Sequence, residues 1–255
     1  MKFNDRVVVI TGASGGIGKA VTSEFANQGA KVVMFDLSKE QMETTADKLQ
    51  LCKDRYYAIA LDIGNEQAVK DAVAETKKHF GKIDVLVNIS GISGPSAMIE
   101  DYTFADFKRV YEVNVFGTFL TMKYVLPIMK KQGKGAIINI GSVSGMCGYP
   151  FESGYGSSKA AIIGLTRNVA NENGGNGIRI NSISPGWVNT QMMRDIVNSY
   201  KDVGFDDSSE NVTLGPMGRA GEPQEMANVI CFLASDEASY VNGANFLVDG
   251  GMTLG

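Results

Sequence analysis

Short, largely apolar runs rich in β-branched residues recur along this 255-residue chain, each separated from the next by a longer stretch; only Asn139 in the fifth and Arg179, Asn181 and Ser182 in the sixth interrupt them. The runs are Val7 to Ile10, Val32 to Phe35, Tyr57 to Leu61, Val85 to Val87, Ile137 to Ile140, Ile178 to Ile183 and Phe246 to Val248. A strand with one wet face alternates apolar and polar residues, so runs that stay apolar belong to strands covered on both faces. Ile17 to Gln28, Asn65 to Phe80, Phe104 to Lys131, Tyr155 to Asn171 and Pro223 to Ala234 read as the covering helices. Alternation of this kind predicts an α/β fold, a doubly wound parallel sheet flanked by helices on both faces and linked by right-handed crossovers.

No composition shift marks a linker and no repeat or low-complexity tract breaks the pattern, so residues 1–255 read as one domain. The segment from Asn189 to Pro216 differs in texture. Met192, Met193, Ile196 and Val197 have helical spacing, whereas Lys201 to Asn211 is polar and loop-like. A long irregular insert in a compact domain is commonly a lid or binding loop, and a substrate lid over 189–216 is expected; an inert surface excursion is the alternative.

The formal net charge of −4 and the lack of a long Lys/Arg cluster argue against nucleic acid or an anionic membrane as partner. No apolar stretch approaches the roughly 20 residues that span a bilayer. Met1 to Arg6 leads straight into the first strand with no signal-peptide core, so a cytoplasmic protein is expected. Cys52, Cys147 and Cys231 are scattered, which predicts free thiols and no metal site, with Cys147, between Ser142 and Tyr155, a small packing residue and a reactive thiol the alternative. The single histidine, His79, falls near a helix C-terminus, where a cation is favourable, and excludes mechanisms that need two.

The first run leads into Thr11-Gly12-Ala13-Ser14-Gly15-Gly16-Ile17-Gly18 and then a helix. Glycines let a backbone turn tightly and approach a pyrophosphate, whose charge is stabilised by free N–H groups at a helix N-terminus. The spacing is Gly-x-x-x-Gly-x-Gly, and its weight comes from lying between the first strand and first helix of a βαβ unit. Gly12, Ser14, Gly16, Ile17 and Gly18 are the expected cofactor contacts. The second run ends in Phe35-Asp36. A carboxylate there accepts hydrogen bonds from the adenosine ribose and repels the extra phosphate of NADP, and neither Gly15 nor Leu37-Ser38 offers a cation for that phosphate. NAD is therefore the expected cofactor, with Asp36 as a helix N-cap the alternative. Asp62, with Ile63 beside it, and Asn88 follow the third and fourth runs, where such a sheet faces the adenine side of its crevice; both residue types also suit turns.

Tyr155 and Lys159 lie four residues apart, the spacing that puts two side chains on one helix face. A cation so placed stabilises a phenolate and lowers the tyrosine pKa from about 10 towards the working range of a general acid or base. Helices carry many such pairs without a chemical role. Ser142 upstream and the glycine loop set this one apart.

Together these residues resemble the short-chain dehydrogenase/reductase family over essentially the whole chain. The markers are the Thr11 to Gly18 loop, Asn88, Asn114, Ser142, Tyr155, Lys159, the Pro185-Gly186 turn and the closing Val248-Asp249-Gly250-Gly251. The resemblance implies a Rossmann-type, seven-stranded sheet, a nicotinamide cofactor and a homotetramer. It makes Tyr155 the general acid/base, Ser142 the group that holds the substrate oxygen, and Lys159 the ligand of the nicotinamide ribose. It gives Asn114 a water relay, although on sequence alone Asn114 is equally a buried polar residue bonded to backbone. Pro185, Gly186, Val188 and Thr190 would border the nicotinamide. Two departures stand out: Asn88-Ile89-Ser90-Gly91 replaces the family's Asn-Asn-Ala-Gly, and Asn171 to Gly177 is an unusually Gly- and Asn-rich turn.

Ile92 to Met98, Ser144 to Glu152 and Trp187 to Met193 should face the reacting carbon. Met146, Tyr149, Pro150, Trp187, Met192 and Met193, with little fixed positive charge beyond Arg194, suit a bulky alicyclic or hydroxysteroid alcohol better than a small carboxylate, although methionines on helices serve equally as core. The expected function is NAD-dependent interconversion of a secondary alcohol and a ketone. One rival is a 3-oxoacyl-[acyl-carrier-protein] reductase; the resemblance implies NADP and a basic docking face for it, which Asp36 and Asn171-Glu172-Asn173 oppose and Lys130, Lys131 and Lys134 allow. The other is a non-catalytic NAD-binding scaffold, against which the retention of Asn114, Ser142, Tyr155 and Lys159 argues.

Overall fold

Every residue of the first strand, β1 (Val7–Thr11), is buried, as a run apolar on both sides requires. The structure, a computed structural model, describes residues 1–203 and 214–254. After β1 come α1 (Gly16–Asn27), β2 (Lys31–Asp36), α2 (Lys39–Lys48), β3 (Tyr56–Ala60), α3 (Glu66–Phe80) and β4 (Val85–Asn88). The second half runs through α4 (Phe104–Tyr111), α5 (Gly117–Gln132), β5 (Gly135–Ile140), α6 (Ser153–Asn173), β6 (Ile178–Pro185), α7 (Gln191–Asp202), α8 (Pro223–Ala234) and β7 (Asn245–Val248). All neighbours pair in parallel, in the order β3-β2-β1-β4-β5-β6-β7. The chain builds outward from β1 to β3, then crosses back to lay β4 on the other side of β1. At that reversal the loops leaving β1 and β4 diverge to opposite faces, and a crevice opens at the carboxyl ends of the strands.

Side-chain alternation sorts the apolar residues into two cores. Val8, Ile10, Val32 and Met34 share one with Val21 and Phe25 of α1 and Ile230 and Leu233 of α8. Val7, Val9, Val33 and Phe35 share the other with Val69 and Val73 of α3 and Val125 and Met129 of α5. Each Val- or Leu-sized side chain buried this way contributes roughly 1.5–3 kcal/mol. Both layers hold the strands, so the strand ends that frame the crevice are rigid mounts for a site.

Three elements differ from the sequence expectation. α2 is an additional helix; it is strongly polar, buries only Met42, Thr45 and Ala46, and so carries little apolar periodicity. Its N-cap is Ser38, which accepts a hydrogen bond from the Gln41 amide at 3.3 Å, and this removes helix capping as the role of Asp36. The helix expected over Phe104 to Lys131 is broken by a π-helical turn at Glu112–Phe116 between α4 and α5. Apolar spacing does not register such a widened turn, which is frequent at functional sites. Asn171 to Asn173 belong to α6, not to a turn: the buried Asn173 side chain donates to the Val169 carbonyl at 2.7 Å, and the chain leaves the helix only at Gly174–Asn176. Of the segment expected as a lid, residues 204–213 lie outside the described residues.

Candidate active site

A cavity of about 450 Å³ follows the crevice and joins the glycine loop at one end to Tyr155 at the other. Gly12, Ser14, Gly16, Ile17, Gly18, Asp36, Asp62, Ile63, Ser142, Tyr155, Lys159, Pro185, Gly186, Val188 and Thr190 all line it. Asn88 and Asn114 do not; they stand behind the wall.

At the glycine loop, α1 starts with Gly15 as N-cap, no side-chain cap and no acidic residue in its first turn, whereas Ser38, Asn65 and Thr103 cap α2, α3 and α4. The first amides of α1 therefore remain available to an anion, with the helix dipole behind them. Two glycines are sterically required. Gly12 has φ +66°, and a Cβ there would sit 2.9 Å from the Ser90 nitrogen; a Cβ on Gly18 would sit 2.0 Å from the Gly12 oxygen. Ser14 Oγ is buried beside this turn without a hydrogen-bond partner among the described residues.

Asp36 is fixed in place. Its Oδ2 accepts from the Ser14 amide at 2.8 Å and its Oδ1 from the Leu37 amide at 2.7 Å. Each carboxylate oxygen keeps a further lone pair for a ligand. Asp62 accepts from the Gly64 amide at 2.9 Å and from Arg109 Nη2 at 3.0 Å. Arg109 lines the cavity and was not anticipated; it reaches Asp62 from α4, a long-range contact without a local sequence signal.

Asn88 is 3% exposed and satisfied internally: its Nδ2 donates to Asn139 Oδ1 at 2.8 Å and its Oδ1 accepts from Thr121 Oγ1 at 2.7 Å. The cavity wall there is Ile89, Ser90, Gly91 and Ile92 instead. Asn114, fully buried in the π-turn, clamps this wall: its Oδ1 accepts from the Ile92 amide at 2.9 Å, while Nδ2 donates to the Ile92 carbonyl at 3.0 Å and to Ser158 Oγ at 2.9 Å. Both N–H groups of the side chain are thus engaged, and they tie β4's exit loop to α6.

Ser142, at the exit of β5, and Tyr155 and Lys159, on the first turns of α6, meet at the inner end of the cavity. Lys159 is 3% exposed and donates to the Ile140 carbonyl at 2.9 Å. An ammonium has three donors, so two remain for a ligand. Its Nζ lies 5.5 Å from the Tyr155 ring centre. Burial pushes the Lys159 pKa down to about 8. Tyr155 differs from expectation. Burial foremost, then the Glu152 charge, push its phenol up to about 12, and a hydrogen bond with Ser142 acts the other way. Desolvation of a phenolate outweighs a cation whose ammonium is turned towards a backbone carbonyl.

Tyr149, Trp187, Met192, Met193 and Ile196 form the outer walls. Met146, 51% exposed, and Pro150 do not line the cavity. Arg194 is also outside it, bonded to Gln191 and Asn189. α7 is tied across the cavity mouth at two points: Ser199 Oγ pairs with Ser96 Oγ at 2.6 Å, and Tyr200 Oη donates to Glu152 Oε1 at 2.6 Å. Glu152, three residues before Tyr155, ends the Ser144 to Glu152 segment expected to face the reacting carbon and does line the cavity; the sequence reading gave it no role of its own, for which the i, i+3 spacing was the available signal.

The remaining chemistry-bearing residues stand apart from the cavity. His79 stacks on Tyr57 with ring centres 4.4 Å apart in the last turn of α3. All three cysteines are free thiols; Cys231 is buried, while Cys147 is exposed, not packed as expected, because it lies in the loop beyond β5. Among the described residues no group of three His, Cys, Asp or Glu side chains is placed to hold a metal, and no helix is long and apolar enough to cross a membrane.

The family model described as enoyl-(acyl carrier protein) reductase matches residues 12–253. Levodione reductase of Leifsonia aquatica is 39% identical over 99% of this chain and 96% of its own. A 3-oxoacyl-[acyl-carrier-protein] reductase of Thermotoga maritima is 36% identical over 100% of both chains. Among solved structures, levodione reductase superposes with a TM-score of 0.94 at 38% identity over 99% of each chain. NAD⁺-bound xylitol dehydrogenase superposes with a TM-score of 0.93 at 34% identity over 98% of this chain and 100% of that one. Identity at this level over the full length, joined to the glycine loop and the Ser142, Tyr155 and Lys159 cluster, makes the chain a member of the short-chain dehydrogenase/reductase family.

Proposed function

We propose that this protein is an NAD-dependent oxidoreductase that interconverts a secondary alcohol and a ketone on an apolar, alicyclic-type skeleton, hydroxysteroids included. One observation carries the reading: Ser142, Tyr155 and Lys159 converge on a cavity whose other end is an uncapped helix N-terminus with Asp36 beside it. The residues fit a nicotinamide dinucleotide. The α1 amides and the orphaned Ser14 hydroxyl suit its phosphates, Asp36 the adenosine ribose, and the two spare Lys159 donors the second ribose. When bound, the nicotinamide takes up or returns the hydride of the substrate carbon.

The protein's own groups manage the oxygen. Tyr155 is a protonated phenol at neutral pH, since its pKa is pushed up to about 12, and is set to donate a hydrogen bond and then the proton to a carbonyl oxygen. Ser142 holds the same oxygen. Lys159, still cationic at neutral pH with a pKa of about 8, stabilises the phenolate left behind. In the oxidative direction the phenolate must form first, so alcohol oxidation rises with pH while ketone reduction stays flat through neutrality. Trp187, Met192, Met193 and Ile196 supply apolar contact for the carbon skeleton, and α7 serves as the lid that shuts out water.

Turnover decides the matter. NAD reduction, with NADP alongside, is measured on cyclic alcohols, hydroxysteroids and 3-hydroxyacyl thioesters. Preference for the alcohols supports the proposal, and selective use of thioesters favours the second reading, an acyl-carrier-protein reductase, to which the family model and the Thermotoga relative lend support. Asp36→Asn tests the cofactor half. It keeps the size but removes the charge, so NAD affinity is expected to fall about 10- to 100-fold, the scale of a charge-assisted hydrogen bond. The preference over NADP should narrow in the same titration, and an unchanged preference would remove Asp36 from the discrimination.

A further inference from the structure

We propose that Glu152 determines specificity by accepting a hydrogen bond from a second hydroxyl next to the reacting carbinol, so that the preferred substrates are vicinal diols and the matching hydroxyketones. This deepens the alcohol/ketone reading and rests on it. Glu152 lines the cavity one helical turn before Tyr155. Its Oε1 is occupied by Tyr200 at 2.6 Å. Its Oε2 is buried and has no hydrogen-bond partner among the described residues. An ionised carboxylate only accepts, so an unpartnered oxygen calls for a donor and for nothing else.

Three features narrow the donor to a neutral hydroxyl close to the reacting oxygen. Glu152 is the N-cap of the helix that carries Tyr155, three residues before it, and both side chains line the cavity, which places the carboxylate near the point of proton transfer. Lys159 is buried, lines the same cavity and disfavours a second cation, such as a substrate ammonium. An anionic substrate would meet the Glu152 charge directly. Met192 and Ile196, which line the same cavity, bring no polar group, so Glu152 reads a donor that a simple alcohol lacks. A site built to bond a hydroxyl discriminates strongly against the analogue without one, because its own buried polar atom is then left unpaired.

The test compares kcat/KM for cis- and trans-1,2-cyclohexanediol with that for cyclohexanol, using NAD and the full-length protein. The better diol is expected to exceed cyclohexanol by about 10- to 100-fold. The ratio within each variant is the quantity read. In Glu152→Leu it should collapse to about one, and in Glu152→Gln, which keeps an acceptor but loses the charge, it should fall partway. Tyr200→Phe leaves the carboxylate in place and should retain the diol preference. If the leucine variant does not fold, the other two decide: a merely structural Glu152–Tyr200 tie predicts that Glu152→Gln and Tyr200→Phe alter the ratio alike. Turnover of both alcohols with no diol preference, or a preference that survives in Glu152→Leu, overturns the inference and leaves the alcohol dehydrogenase reading standing. No turnover of any alcohol overturns both.

Discussion

Tyr155→Phe is expected to lower turnover by about 10²- to 10⁴-fold, the usual contribution of a positioned general acid or base, while the nicotinamide cofactor still binds. The substitution removes one oxygen and keeps the ring, so the packing of α6 against its neighbours persists. Steady-state rates with the best alcohol, a fluorescence titration with the cofactor and a thermal melt separate chemistry from binding and folding. Activity that survives in the variant would hand proton transfer to another group, with Glu152 a candidate on the cavity wall. The same residues define a pH test. Glu152 raises the Tyr155 pKa and the Ser142 hydrogen bond lowers it. Glu152→Gln therefore should shift the rising limb of alcohol oxidation to lower pH, whereas loss of the Ser142 bond in Ser142→Ala should shift it to higher pH.

Lys159→Met should abolish most activity yet make the cofactor-free protein more stable at neutral pH. The folded-state pKa is about 8, against 10.5 for the ordinary side chain, so folding is penalised wherever the buried amine must carry its charge. At a unit of pKa per ~1.4 kcal/mol the full penalty is about 3 kcal/mol, and losing the bond to the Ile140 carbonyl returns about 1 kcal/mol of it, for a net gain near 2 kcal/mol. The sign follows from proton binding. Between pH 8 and 10.5 the unfolded chain holds the proton and the folded one does not, so this contribution makes stability rise with pH across that window. Tyr155 acts oppositely above pH 10, where the folded state keeps its proton up to about 12 and stability falls. Urea titrations of wild type and variant at pH 7 and pH 9.5 check this. A variant no more stable than wild type at pH 7 would show that the buried ammonium carries no net cost.

The fold was legible because its cause is local. An apolar run without polar alternation must be covered twice, and five such runs, with two more that only Asn139 and Arg179, Asn181 and Ser182 interrupt, leave few arrangements besides a parallel doubly wound sheet when helices separate them. The exceptions have equally physical reasons. α2 escaped notice because it buries too little to carry a period, and the π-turn at Glu112–Phe116 because one inserted residue leaves composition unchanged.

By itself the sequence determined the identity of the groups at the two ends of the crevice. The glycine loop, Asp36, Ser142, Tyr155 and Lys159 were readable because each is tied to a strand end or to an i, i+4 helical spacing. Only the tertiary structure decided what those groups experience. It turned Lys159 onto the Ile140 carbonyl, took the Asn88 and Asn114 side chains out of the cavity and into internal networks, and brought Arg109 to Asp62. It also set Glu152 against Tyr155 and Tyr200. Spacing along a chain reports which side chains share a face, but desolvation and long-range pairing depend on what else occupies the same volume, and that is settled only when the elements pack.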